Sequence, residues 1–176
     1  HETAATASVE KAEEWVDGLF CYVKFRGLDG NGEDIVRLMS GWLAATNRDG
    51  FVFDIRGAGG DSLEALDALL GFFVITNRPL YAVKDGRGST IMTRRSGPRD
   101  GLSIKAPVML LVDGATHGAA EALAAILDGT EKVMLMGSRT AGDMALREWI
   151  PVGSGDLRVH LATRRLAIDP SDKAPP

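Results

Sequence analysis

The 176-residue chain holds a single cysteine, Cys21, so no internal disulfide can form. Cys21 sits inside Leu19-Phe20-Cys21-Tyr22-Val23-Lys24-Phe25, a strand-like run, and reads as an inert core residue. The three histidines, His1, His117 and His160, share no metal-ligand spacing, and neither a metal nor any other cofactor is expected. No apolar run approaches the ~20 residues that cross a bilayer, so no membrane span is expected. Formal net charge is only −4, which argues against nucleic acid or an anionic membrane as a partner. Arg87, Arg94, Arg95 and Arg99 do cluster, but in a loop-rich stretch that reads as solvated surface rather than a polyanion site. No Gly-Lys-Ser/Thr phosphate loop is present. Gly57-Ala58-Gly59-Gly60 lacks the third glycine of a dinucleotide turn.

What remains is a chain with 45% hydrophobic residues, enough for one substantial core. Residues 9–16 read as a short amphipathic helix and 20–25 as a strand. A glycine-rich loop at 27–32 leads into a helix over 33–46, with Ile35, Leu38, Met39, Trp42 and Leu43 on one face. Residues 51–55 and 107–112 are continuous apolar strands of the buried parallel type. A strongly apolar helix is expected over 62–75. Residues 80–83 and 90–93 read as a hairpin or edge strands. An Ala-rich helix over 119–127 and a strand over 133–136 follow. Residues 148–152 and 157–162 pair as a hairpin across Gly153-Ser154-Gly155. This alternation is an α/β pattern. Residues 1–19 are an N-terminal segment with its short helix, 20–168 a single core domain, and 169–176 a Pro-rich disordered tail. The small, polar first eight residues read as a frayed end, compatible with what remains after a signal peptide is removed.

Val112-Asp113-Gly114-Ala115-Thr116-His117-Gly118-Ala119-Ala120-Glu121 runs from a buried strand into a helix N-terminus. First-turn N–H groups and the helix dipole stabilise an oxyanion in such a place, and serine hydrolases hold their nucleophile there. This segment contains no serine. Gly57, Gly59 and Gly60 lie between a strand and a helix, and serve either as an oxyanion hole of backbone N–H groups or as a tight turn. Thr116 is a helix N-cap or, with His117 as base, a substitute nucleophile. His117 otherwise lines a polar pocket. Glu121 suits the dipole of the first helical turn. Asp61, Asp113, Asp143 and Glu121 have the chemistry to hold a hard cation together, although dispersed capping and turn roles explain them as well.

Four segments in order resemble the C-terminal-processing peptidases, or tail-specific proteases. They are Phe51-Val52-Phe53-Asp54-Ile55-Arg56-Gly57-Ala58-Gly59-Gly60-Asp61-Ser62-Leu63, the Thr116 to Glu121 segment, Val133-Met134-Leu135-Met136-Gly137-Ser138-Arg139-Thr140-Ala141-Gly142-Asp143, and the final hairpin. The resemblance runs from about residue 20 to 170. It implies a Clp-protease/crotonase-like fold of stacked β-β-α units, without the PDZ domain that usually precedes it. It places Gly118 at the family's nucleophilic serine, Asp143 at its general-base lysine and Arg147 at the glutamine that orients that lysine. Glycine has no atom to attack a carbonyl, and an aspartate here has nothing to activate.

The resemblance therefore implies a degenerate serine peptidase domain. Its old cleft would bind a peptide or protein C-terminus, or a small apolar ligand, without cleavage. The cleft is expected between the Gly57 to Gly60 turn, the Thr116 to Gly118 turn and the Asp143 loop. The alternatives are a live hydrolase with an unusual nucleophile such as Thr116, and a structural or assembly domain. Homo-oligomer formation is compatible with each. The family's habits favour export to the periplasm or beyond over the cytoplasm.

Overall fold

The computed structural model describes residues 8–15, 19–44, 48–73, 79–95 and 102–168. Among these residues, two sheets and three helices make an α/β fold. The larger sheet contains β1 (Val9–Trp15), β2 (Phe20–Phe25), β3 (Gly50–Asp54), β6 (Val108–Val112) and β7 (Val133–Gly137), in that spatial order. β2, β3, β6 and β7 are mutually parallel, and β1 is antiparallel to β2. The smaller sheet, antiparallel throughout, has the order β5 (Thr90–Arg95), β4 (Pro79–Asp85), β9 (Arg158–Ala167), β8 (Ala145–Pro151). The helices are α1 (Glu33–Ala44), α2 (Leu63–Leu70) and α3 (Gly118–Leu127).

Apolar periodicity explains most of this. In β2 every second residue, Cys21, Val23 and Phe25, is buried. Burial raises the Cys21 thiol pKa, consistent with an inert core residue. β3 is buried on both faces, and its Phe51 and Phe53 join Phe25, Trp42 and Phe73 in an aromatic cluster. Nine of the ten residues of α3 are buried, because it packs against α2, β8 and β9. Five alanines among those ten residues allow such close approach on several sides. Among the described residues no helix is long and apolar enough to cross a membrane.

The structure revises the expected elements in four places. Residues 9–15 form a strand, not a helix. Val9 and Ala12 imitate a helical stripe, but pairing with β2 decides the outcome. There Trp15 stacks on Tyr22 at 4.6 Å, and Glu10 and Glu14 form ion pairs with Lys24 and Arg48. Residues 9–15 thus form the outer strand of the larger sheet. α2 stops at Leu70, with Gly71 as its C-cap, while Phe72 and Phe73 stay buried in the turn beyond it. α1 ends at Ala44. The last hairpin is longer than expected, because β8 begins at Ala145 and β9 continues to Ala167. The ends of both expected helices (45–46 and 74–75), Val16, Arg99 and the 169–176 tail lie outside the described residues.

Candidate functional site

β3 and β6 are parallel neighbours, so the turns that leave their C-terminal ends lie side by side. Asp54 closes β3 and is fully buried. Burial alone would raise its pKa, but two hydrogen bonds from the Arg56 guanidinium (2.9 and 2.6 Å) and one from the Tyr22 hydroxyl (2.9 Å) prevail. Together they hold the carboxyl below its usual range. Asp113 follows β6 and ties the two turns together. Its Oδ1 accepts the N–H of Gly57 at 2.9 Å and of Ala115 at 3.0 Å. The Gly57 amide is the main reason that the Asp113 pKa is lowered.

Thr116 is 0% exposed. Its Oγ1 lies 2.9 Å from the Ile55 carbonyl and 3.1 Å from Asp113 Oδ1, either of which takes its proton, and it accepts the Asp113 N–H at 3.1 Å. A hydroxyl enclosed in this way has no approach for a substrate carbonyl. It does not cap α3 either, because the N-cap position is His117, which makes no side-chain cap bond. His117 Nδ1 lies 2.9 Å from the Ala115 carbonyl, which can only accept, so geometry assigns the proton to Nδ1. The ring packs over Gly59, where an added Cβ would fall 2.3 Å from Nε2.

Gly118 is the first residue of α3 and has φ +59°. A Cβ there would fall 2.4 Å from the Gly60 carbonyl oxygen. The backbone of the Gly57 to Gly60 turn thus occupies the space a nucleophilic side chain would need. The main chains of the three expected segments are directly bonded. The His117 N–H donates to the Ala58 carbonyl (3.1 Å), the Gly118 N–H to the Asp143 carbonyl (2.6 Å) and the Ala119 N–H to the Gly60 carbonyl (2.8 Å). The amides at the start of α3 that would face an oxyanion already have acceptors.

The 140–143 loop is held from inside by Glu121, a buried carboxylate. It accepts the Thr140 hydroxyl at 2.6 Å and the N–H groups of Gly142 and Asp143, both at 2.7 Å. Burial pushes the Asp143 pKa up, but hydrogen bonds from the Arg147 guanidinium (2.5 Å) and the Ala145 amide (3.1 Å) outweigh it and lower the pKa. Hydrogen bonding to Asp143 in turn raises the Arg147 pKa. The Arg147 N–H donates to Asp61 Oδ1 at 2.8 Å, and Asp61 Oδ2 lies 3.4 Å from His160 Nε2. His160 stacks on Trp149 at 4.5 Å, and Trp149 is 62% exposed.

Gly57 to Gly60, Thr116 to Gly118, Asp143 and Arg147 are therefore brought together. Gly57 gives its N–H to Asp113, and the Gly60 carbonyl serves as an acceptor, so both bind the turns to each other. Asp61, Asp113, Asp143 and Glu121 each have their own donors. No group of three or more His, Cys, Asp or Glu side chains converges among the described residues. Two features went unanticipated. One is the Glu121 clamp, for which the signal was a lone charge on an otherwise apolar helix. The other is the Trp149–His160–Asp61 contact, half of which follows from counting back across the hairpin.

Residues 20–169 match the sequence profile of peptidase family S41. The fold resembles that of a candidate peptidase from Parabacteroides merdae ATCC 43184 (TM-score 0.69, 16% identity, 98% of this chain, 56% of that one). A lipoprotein from Streptococcus agalactiae is similar (0.67, 16%, 93% and 60%). So is the photosystem II D1 C-terminal processing protease (0.57, 22%, 93% and 42%). The chain thus spans about half the length of these proteins. With these neighbours, the two-sheet α/β arrangement is the Clp-protease/crotonase type.

Proposed function

Because the chain belongs to peptidase family S41 and has glycine at the nucleophile position, we propose that it is a non-catalytic member. In this reading it holds a peptide tail along the rim of the inherited site without cutting it. The observation that carries the proposal is Gly118. A side chain there meets the Gly60 carbonyl at 2.4 Å, and its own N–H is spent on Asp143. Chemistry by the family's route needs an attacking atom, a base and free oxyanion donors. Here the first has no room, the second is an aspartate paired with Arg147, and among the third the N–H groups of Gly57 and Gly118 are given to Asp113 and Asp143. A Thr116 nucleophile is disfavoured by its burial.

Retention of a peptide is supported by the rim. β8 is an edge strand of the smaller sheet among the described residues, so its outer backbone groups can pair with an extended peptide. Trp149 and Ile150 offer apolar surface on the same strand. The lipoprotein among the similar folds supports an exported location.

The test incubates the protein with unstructured peptides of varied apolar C-termini, alongside Thr116→Ala. Neither protein should release fragments. The same peptides should bind in a fluorescence titration, and Trp149→Ala should abolish the binding. Turnover that disappears in Thr116→Ala would overturn the proposal and identify a relocated nucleophile.

A further inference from the structure

Trp149 and His160 lie opposite each other in the β8–β9 ladder, so their side chains share one face of the smaller sheet. The two rings stack at 4.5 Å, with 14° between their planes. One face of the indole therefore rests on imidazole, while most of Trp149 stays open to solvent. At the edge of the imidazole stands Asp61, from the turn before α2, with Oδ2 3.4 Å from His160 Nε2. The carboxylate is fixed from its other side, because Oδ1 accepts the Arg147 N–H at 2.8 Å. The remaining charges around the ring are accounted for. Arg147 and Arg158 flank His160 along the same face, opposite Ala162 and Pro151 in the ladder. The Arg147 guanidinium is held by Asp143 at 2.5 Å, and Arg158 is exposed. Glu148 belongs to the other face and pairs with Arg164. Asp29 takes the Asp61 N–H at 3.3 Å. Among the described residues, Asp61 is the carboxylate in ion-pair range of His160.

We infer that Asp61 and His160 position Trp149 for the peptide at the rim, and that His160 makes this binding respond to pH. The inference rests on the reading of the rim as a peptide site. Histidine is the side chain whose charge ordinarily changes between about pH 5 and 8. When the His160 ring gains its proton it becomes a cation between two favourable partners, the Asp61 carboxylate at its edge and the π face of Trp149. Both attractions hold the indole in its stacked orientation. An indole already held loses less freedom when a peptide covers it, so the protonated site binds more tightly. The neutral ring keeps the stacking area but loses the cation's share of both contacts. Affinity therefore rises as pH falls through the histidine range and is lost as pH rises through it. Both contacts are partly exposed and individually modest, so the expected difference is about three- to tenfold. Asp61 and His160 are positioning residues here, acting on the peptide through Trp149.

The test titrates one fluorescently labelled, unstructured peptide with an apolar C-terminus at about pH 5.5 and about pH 8, on either side of the histidine transition. The natural chain should bind about three- to tenfold more tightly at the lower pH. His160→Gln should bind at the weaker level and no longer respond to pH. His160→Arg, which keeps a stacked cation at every pH, should bind at the tighter level throughout. Asp61→Asn can still accept the Arg147 N–H through its amide oxygen, and should reduce the response without removing it. Circular dichroism verifies that each variant is folded. Equal affinity of the natural chain at the two pH values would overturn the inference and leave the peptide site standing. So would a His160→Gln chain that responds as the natural one does, or a His160→Arg chain no tighter than His160→Gln. No binding by any chain at either pH would overturn the reading of the rim itself, and this inference with it.

Discussion

Gly118→Ala isolates the feature on which the functional reading turns. The left-handed backbone costs a residue with a Cβ roughly 1–2 kcal/mol. The added carbon would also lie 2.4 Å from the Gly60 carbonyl oxygen, a backbone atom that a rotamer change cannot move. Relief requires the Gly60 turn to retreat by about 1 Å, which strains the Ala119 to Gly60 hydrogen bond (2.8 Å), worth about 1 kcal/mol. Overpacking adds about 1–3 kcal/mol. The sum is about 3–6 kcal/mol, or a fall in Tm of roughly 6–24 °C for a domain of this size. Two controls separate the terms. Gly57 has φ +72° and nothing within 4 Å of an added Cβ, so Gly57→Ala should lose only the conformational share, about 1–2 kcal/mol. Gly41 is exposed inside α1 with open space around it, so Gly41→Ala should gain about 0.5–1 kcal/mol. Urea unfolding of the three variants reads all of these. If Gly118→Ala loses no more than Gly57→Ala, the Gly60 carbonyl does not fill the nucleophile's place, and the argument from occupied space fails.

Four further outcomes are expected. Glu121→Ala should cost about 1–3 kcal/mol, because it leaves three part-buried donors without their carboxylate, and hydrogen exchange should quicken at Gly142 and Asp143. Thr116→Val should cost about 1–3 kcal/mol in denaturant and leave peptide binding intact, since the hydroxyl serves the turn and not a ligand. The Asp113 pKa is lowered on folding, so its ionised form contributes stability above the unfolded pKa of about 4, and that contribution is lost as pH falls through the lower folded value. The advantage of the natural chain over Asp113→Asn should therefore be constant near neutrality and shrink below about pH 4 in parallel urea titrations. Trp149→Ala should leave the unfolding midpoint within about 0.5 kcal/mol while peptide affinity disappears, because the ring is largely exposed.

The parallel strands were legible because β3 and β6 are short apolar runs bounded by glycine, proline or aspartate, and the last hairpin because Gly153-Ser154-Gly155 separates two alternating stretches. β1 was not, since its residues have no strong preference and its state is decided by Tyr22 and Arg48, distant in sequence. The end of α2 was hidden for a different reason. Phe72 and Phe73 are as buried as the helix itself, so the apolar pattern continues where the hydrogen bonding stops. At the site, the family resemblance singled out Gly118 and Asp143. Only coordinates reveal that the Gly60 carbonyl stands where a side chain would go, because that contact joins residues nearly sixty positions apart.

Gly118, Asp143 and Arg147 belong to one bonded set. Gly118 lets the Gly60 turn come close enough to bond Ala119, and its own N–H takes the Asp143 carbonyl. The Asp143 side chain holds Arg147, whose N–H reaches Asp61, whose other oxygen faces His160 beneath Trp149. Together these contacts run from the helix N-terminus to the exposed rim. Returning serine to position 118 alone would meet the Gly60 carbonyl, and returning lysine to 143 alone would face Arg147 across a few ångströms. Restored hydrolysis therefore requires the turns to separate as well as the side chains to change. For that reason the Gly118→Ser, Asp143→Lys double variant should remain inactive in the peptide assay while losing stability. Turnover by that double variant would mean that the turns part readily, and that the Gly60 carbonyl does not keep a side chain out of position 118.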